Sequence, residues 1–208
     1  MNTKEDSFSD LLLKESFFLL VKPEDNIYSN TSIRNSFFEE LGSLVKLGLK
    51  NIEISWSNNE KWLDFVSEIK LNFPQINLGS ASIVNKQSIE DSLKIGLNFS
   101  MMKFWDKDLF NYSKSKNYLL IPGIKNLKDL EEAINLNCKI IKIYPIKSKA
   151  SSIDILNFES IDFIAAGGLS INDVKTYQSL GYKAIVIGDK GIIKKKFDPK
   201  IYEWLKNN

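Results

Sequence analysis

The chain of 208 residues contains no histidine, a single cysteine and a single arginine. Without histidine, the commonest general base and the commonest metal ligand are both missing. A Ser-His-Asp triad, a Cys-His dyad and an ordinary zinc site are therefore excluded, and no metal is expected. The lone Cys138 allows no intrachain disulfide and fits a reducing compartment. Long apolar runs are absent too: LLL (11–13) and FFLLV (17–21) are split by Lys14 and Glu15, and no signal-peptide cleavage pattern follows. These features predict a cytoplasmic protein with no membrane partner. Charge is balanced at +2, and KKK at 194–196 is the one lysine cluster, read as a solvated face rather than a nucleic-acid surface. Any catalysis must rest on lysine, carboxylates, tyrosine or hydroxyls.

Short apolar runs alternate with longer amphipathic stretches. Candidate strands cover 17–22, 51–56, 76–83, 98–104, 118–123, 139–145, 162–168 and 184–189. Helical patterns lie between them at 32–49, 59–73, 86–97, 105–116, 126–137, 151–158 and 170–181, with a leading helix near 5–15 and a closing one near 198–206. Strands alternating with helices point to a parallel α/β fold. Eight units favour a (β/α)8 TIM barrel with an extra N-terminal helix. A doubly wound open sheet shares the same local pattern. No linker or low-complexity break interrupts 1–208, which reads as one domain.

The stretch KIIKIYPIK (139–147) places Lys142 inside an apolar strand. Alternation puts Lys142 on one face with Ile140 and Tyr144, while Ile141 and Ile143 take the other. Burying an ammonium group costs several kcal/mol on the order-of-magnitude scale for ions. In NIEISW (51–56), Ile52, Ile54 and Trp56 form one face, and Glu53 and Ser55 the other, with Ser57 just beyond. In INLGSASI (76–83), Leu78, Ser80 and Ser82 share a face. With the apolar faces under helices, the polar faces point into the barrel. Glu53, Ser82 and Lys142 then meet near the C-terminal strand ends. One reading is a buried structural ion pair. The other is a lysine whose ammonium form is destabilised, so that its amine attacks a carbonyl, with Glu53 carrying protons.

DFIAAGGLSIND (162–173) runs from a strand into Gly167-Gly168, with Ser170 positioned to cap a helix. The next strand ends in a second glycine turn, GDKG (188–191). Loops after the seventh and eighth strands are common phosphate sites in barrels. Gly167, Gly168, Gly188 and Lys190 are accordingly candidate phosphate-binding residues, and Asp189 counts against an anion there. Two tight turns without a ligand are the plain alternative.

In this order, the pieces resemble the 2-keto-3-deoxy-6-phosphogluconate (KDPG) / 4-hydroxy-2-oxoglutarate (KHG) aldolase family from about residue 17 to 192. The matching stretches are Lys142-Ile143-Tyr144-Pro145, Glu53-Ile54-Ser55-Trp56-Ser57-Asn58, Gly79-Ser80-Ala81-Ser82-Ile83, Leu120-Ile121-Pro122-Gly123 and Ala165-Ala166-Gly167-Gly168-Leu169. The resemblance implies a metal-independent, cofactor-free, trimeric class I aldolase that cleaves a 2-oxo acid to pyruvate and an aldehyde. It assigns the Schiff base to Lys142 and acid–base work to Glu53. Ser82, Ser57, Tyr144 and Pro122 fall at substrate-binding positions. The family's carboxylate-binding arginine falls on Ser57, and the sole arginine here is Arg34, in a predicted helix. Lys22, near the end of the first strand, is a candidate replacement charge. Two other readings stand beside the aldolase: a non-catalytic relative that binds an oxo acid or phosphorylated metabolite, and another phosphate-binding barrel enzyme of thiamine-phosphate-synthase or epimerase type.

Overall fold

A computed structural model describes residues 4–14, 16–147, 153–193 and 196–207. Its parallel strands are β1 (Phe17–Val21), β2 (Asn51–Ser55), β3 (Asn77–Ile83), β4 (Phe99–Met102), β5 (Leu120–Ile121), β6 (Gly123–Ile124), β7 (Ile140–Ile143), β8 (Asp162–Ala166) and β9 (Ala184–Ile187). They pair in the order β5-β4-β3-β2-β1-β9-β8-β7-β6. β5 and β6 are two halves of one stave, separated only at Pro122, which has no N–H to give to a ladder. The lower half pairs with β4 (Ser100↔Leu120) and the upper half with β7 (Gly123↔Lys142). The sheet therefore closes on itself, and the fold is a (β/α)8 barrel.

Helices α1 (Lys4–Leu12), α2 (Asp25–Ser29), α3 (Thr31–Lys46), α4 (Trp62–Asn72), α5 (Lys86–Ile95), α6 (Lys107–Ser115), α7 (Leu127–Asn135), α8 (Val174–Ser179) and α9 (Pro199–Asn207) complete the order. Four of them begin on a side-chain cap, a habit of short polar residues that satisfies an otherwise unpaired helical N–H. Asn30, Asn85, Asp106 and Asn126 accept from the backbones of Ile33, Ser88, Leu109 and Asp129 at 2.9–3.1 Å. Among the described residues no helix is long and apolar enough to cross a membrane.

Two apolar layers divide the core. The outer one lies between strands and helices and holds Ile52, Ile54, Leu78, Ile141 and Ile143. The inner one fills the barrel with Phe18, Phe99, Met101, Ile121, Ile140, Ile164 and Val186. Helix α1 crosses the N-terminal ends of the strands and inserts Phe8 and Leu12 into that inner layer. There Phe8, Phe18 and Phe99 form a trio with ring centroids 4.8–5.8 Å apart. Gly79 makes room for them, since a methyl group on it would lie 2.4 Å from the Phe99 ring.

Two local expectations are corrected, and one short element was not expected. The pattern over 151–158 yields only a 3-10 turn, Ile155–Asn157, and its first two residues lie outside the described residues. A small antiparallel pair, β10 (Ile192–Ile193) with β11 (Lys196–Phe197), flanks the KKK stretch; Lys196 is exposed, as a solvated face requires, and 194–195 lie outside the described residues. The face shared by Leu78 and Ser80 points outward, not into the barrel. Ser80 Oγ hydrogen-bonds Ser92 Oγ of α5 at 2.7 Å and Ser100 Oγ at 2.6 Å, forming a hydroxyl seam under the helix.

Candidate active site

Lys142 and Glu53 are the third residues of β7 and β2 and lie on the inner face. Alternation drives both placements, because Ile141 and Ile143 flank the lysine, and Ile52 and Ile54 the glutamate, in the outer layer. Lys142 is 6% exposed and Glu53 1%. Burial lowers the Lys142 ammonium pKa to about 8, while the charge of Glu53 pulls it back up. Burial likewise raises the Glu53 carboxyl to about 7, against the opposing pull of Lys142. The two feel each other's charge without touching. Both carboxylate oxygens of Glu53 lack a hydrogen-bond partner among the described residues. A structural ion pair closes its hydrogen bonds, because a buried unpaired carboxylate is costly. This one is open among the described residues.

Ser82 joins them by a device that simple alternation does not predict. The β3–β4 register shifts between Ser80 and Ile83, and Ser82 adopts φ 61°. This left-handed turn of the backbone breaks the strand's alternation. Ser82 Oγ then accepts a 2.9 Å hydrogen bond from Ser55 Oγ. Ser57 lies near Tyr28 of α2, with 3.4 Å between the hydroxyl oxygens. Arg34 pairs with Glu68 of α4 and lies over the Phe65 ring, on the helical side of the barrel. The arginine position of the resemblance is therefore occupied by a neutral hydroxyl.

Pro122 is buried, and its carbonyl accepts from the Lys142 backbone N–H at 2.9 Å, which anchors the stave carrying Lys142 to its neighbour. The Tyr144 ring centroid lies 6.0 Å from Lys142 Nζ. Beyond it, the Phe104 ring stands 5.8 Å from Tyr144. Tyr28, Phe104, Lys103 and Lys125 were not singled out by the sequence. Tyr28 meets Ser57 across 29 residues of chain, so no local pattern signals the contact. Phe104 reads as the end of an apolar strand, although β4 stops at Met102.

The glycine turns occupy a different part of the rim. Gly167 has φ 112°, and a methyl there would lie 3.0 Å from Pro145 Cα, so the β8 turn needs glycine to lie against the end of β7. Gly168 follows with φ 68°. The Ser170 N–H and hydroxyl both donate to the Asp173 carboxylate, at 2.7 and 2.9 Å. Lys147 stands 3.6 Å from the same carboxylate. Gly188 precedes the turn Asp189–Gly191, where Lys190 is exposed and Asp189 holds Lys22 at 2.7 Å. Among the described residues no cluster of three or more acidic or cysteine side chains is arranged for a metal ion.

Comparison with known proteins bears on this arrangement. The family model described as "KDPG and KHG aldolase" matches residues 33–201. A 2-dehydro-3-deoxy-phosphogluconate aldolase of Pseudoalteromonas atlantica is 23% identical over 142 residues, and the KHG/KDPG aldolase of Escherichia coli is 22% identical over 142. Each alignment covers 66% of this chain and 66% of the relative, just under two thirds. Among solved structures, KDPG aldolase of Legionella pneumophila superimposes with a TM-score of 0.78 at 13% identity, covering 99% of this chain and 98% of that one. The aldolase of Zymomonas mobilis gives 0.76 at 18%, covering 95% and 94%. At these identities the superpositions speak for the barrel, while the family model spans the strands that carry Glu53 and Lys142. A buried lysine–glutamate pair at the mouth of such a barrel sits within a chain that belongs to the KDPG and KHG aldolase family.

Proposed function

We propose that the protein is a class I aldolase that cleaves a 2-oxo acid, such as KDPG or 4-hydroxy-2-oxoglutarate, to pyruvate and an aldehyde. The observation that carries this reading is a desolvated Lys142 within the field of a Glu53 whose carboxylate oxygens have no hydrogen-bond partner among the described residues. Desolvation leaves a sizeable fraction of Lys142 as free amine near neutral pH, as a Schiff-base nucleophile requires. The amine attacks the C2 carbonyl. Glu53 delivers the proton with which the carbinolamine oxygen leaves as water, giving an iminium. Glu53, now a carboxylate, takes the proton of the C4 hydroxyl as the C3–C4 bond breaks. The aldehyde departs and the bonding electrons rest in the enamine. Glu53 then returns the proton to C3, and water hydrolyses the iminium to free pyruvate and Lys142. The Legionella pneumophila KDPG aldolase whose fold this chain shares was captured with pyruvate as a covalent carbinolamine.

Tyr144 walls the imine in this reading. The Ser55–Ser82 hydroxyl pair takes the substrate carboxylate, with Ser57 at its edge and Pro122 beneath. Lys22 can add its charge only by leaving Asp189. Gly167, Gly168, Gly188 and Lys190 are one candidate location for a distal phosphate.

Borohydride reduction with pyruvate, followed by intact and peptide mass spectrometry, tests the reading. A stable adduct on Lys142, absent in Lys142→Ala, is expected. The neutral Ser57 at the arginine position favours one competitor, a relative that binds an oxo acid without processing it. Folded protein that forms no adduct at high pyruvate would move the site to that reading.

A further inference from the structure

The rim of the barrel carries several lysines, and they differ in what already holds them. On the side of β1, β8 and β9, Lys22 is bound to Asp189 at 2.7 Å and Lys147 lies 3.6 Å from Asp173. The field of Asp173 also reaches Lys190. Positive charge on this side is largely answered by carboxylates within the protein.

The side of β4 and β6 is arranged differently. Lys103 follows β4 and Lys125 follows β6. Both ammonium groups lie over the Phe104 ring, 5.6 and 5.3 Å from its centroid. Neither has a carboxylate within ion-pair distance among the described residues. The backbone here is tightly fixed: Lys103 N–H donates to the Ile83 carbonyl at 3.3 Å, and Gly123 is squeezed beneath the Lys103 carbonyl, 2.5 Å from where a methyl would stand. Phe104 is 41% exposed, a large apolar ring held in water by two cations. A face of an aromatic ring attracts cations and orders their long side chains. The same ring stands 5.8 Å from Tyr144, whose ring is 6.0 Å from Lys142 Nζ. The unanswered charge is thus linked to the reacting lysine by two aromatic steps.

We propose that Lys103 and Lys125, ordered by Phe104, form a lip that selects acceptor aldehydes carrying an oxyanion at the end remote from the carbonyl. The inference rests on the aldolase reading and names the specificity element of that site. Phosphate and carboxylate share the chemistry the lip recognises. Two ammonium groups without internal counter-ions bind either, and each such charge-assisted contact formed in the transition state raises the rate with that acceptor. The glycine turns with Lys190 are the competing location.

The test measures condensation with pyruvate in the direction that forms the C–C bond, using three acceptors. These are glyceraldehyde 3-phosphate, succinic semialdehyde and neutral glyceraldehyde. Wild type is compared with the double variant Lys103→Ala/Lys125→Ala and with Lys190→Ala. The readout is the ratio of kcat/KM for an anionic acceptor over the neutral one within each variant, which cancels any general loss of activity. The lip predicts that the ratio falls about tenfold or more in the double variant. A fall with both anionic acceptors means charge alone is read, and a fall with only one identifies the oxyanion. An unchanged ratio in the double variant, or a fall confined to Lys190→Ala, overturns the lip and leaves the aldolase reading standing. Wild type that traps no pyruvate on Lys142 overturns that reading and the lip together, and the borohydride experiment reports this separately.

Discussion

At the scale of single residues, the site depends on two side chains whose ordinary pKa values are far apart and are brought together by burial. Lys142 is drawn down to about 8 and Glu53 is pushed up to about 7. The rate of adduct formation with pyruvate should therefore rise from pH 6 to pH 9, with its midpoint near 8, as the ammonium gives way to the amine. Glu53→Gln tests the coupling by its sign. The carboxylate favours the charged ammonium, so removing it moves that midpoint to lower pH, where free amine becomes more plentiful. In the proposed mechanism turnover should nevertheless fall by about 10²–10⁴, because its proton carrier is lost. A midpoint that moves up or stays fixed would show that Glu53 does not face Lys142. The sequence made this pair legible through alternation alone, since each residue interrupts a strand whose other face is continuous isoleucine. It misdirected at Ser80, where the same rule applied to a mostly polar strand has no apolar face to orient it. Ser82 reaches the site through a positive φ and a register shift, and neither leaves a mark in the residue pattern.

At the scale of elements, the N-terminal helix is the barrel's floor. Phe8 is 5% exposed and touches both Phe18 and Phe99. Phe8→Ala should cost about 3–5 kcal/mol, the usual range for truncating a buried phenylalanine. Urea denaturation measures that loss, and borohydride trapping on Lys142 should persist, because the floor lies at the opposite end from the lysine. A loss below about 1 kcal/mol would mean that α1 does not seat in the barrel. All eight staves and most helices were readable from apolar runs punctuated by glycine, asparagine and proline. The unread elements are the short ones. The five-residue α2 follows Pro23 in a stretch too brief for a helical period, yet it brings Tyr28 to Ser57. The β10–β11 hairpin is hidden by its lysines, since only two residues on each side pair. Length decides this: periodicity needs two turns or several alternations before it stands out from chance.

At the scale of the whole molecule, a buried lysine and carboxylate make the fold less stable than its size permits. Replacing a buried ionisable pair with well-packed hydrophobic side chains of similar volume is often neutral or stabilising by about 1–4 kcal/mol. Lys142→Met combined with Glu53→Met should therefore raise the thermal midpoint by about 2–4 °C for each kcal/mol gained, in a chain of this length, while abolishing adduct formation. A double variant that unfolds earlier than wild type would point instead to a pair kept for structure. The aromatic floor has a further consequence. With Phe8, Phe18 and Phe99 filling the floor, a substrate bound at Lys142 enters and leaves on the side away from that floor. In the proposed cleavage, the pyruvate half stays tethered to the lysine after the carbon–carbon bond has gone. The aldehyde must clear the passage before hydrolysing water can follow it in. Run backwards, pyruvate must enter before its partner. For that reaction the barrel would be a blind alley, with pyruvate first in and last out.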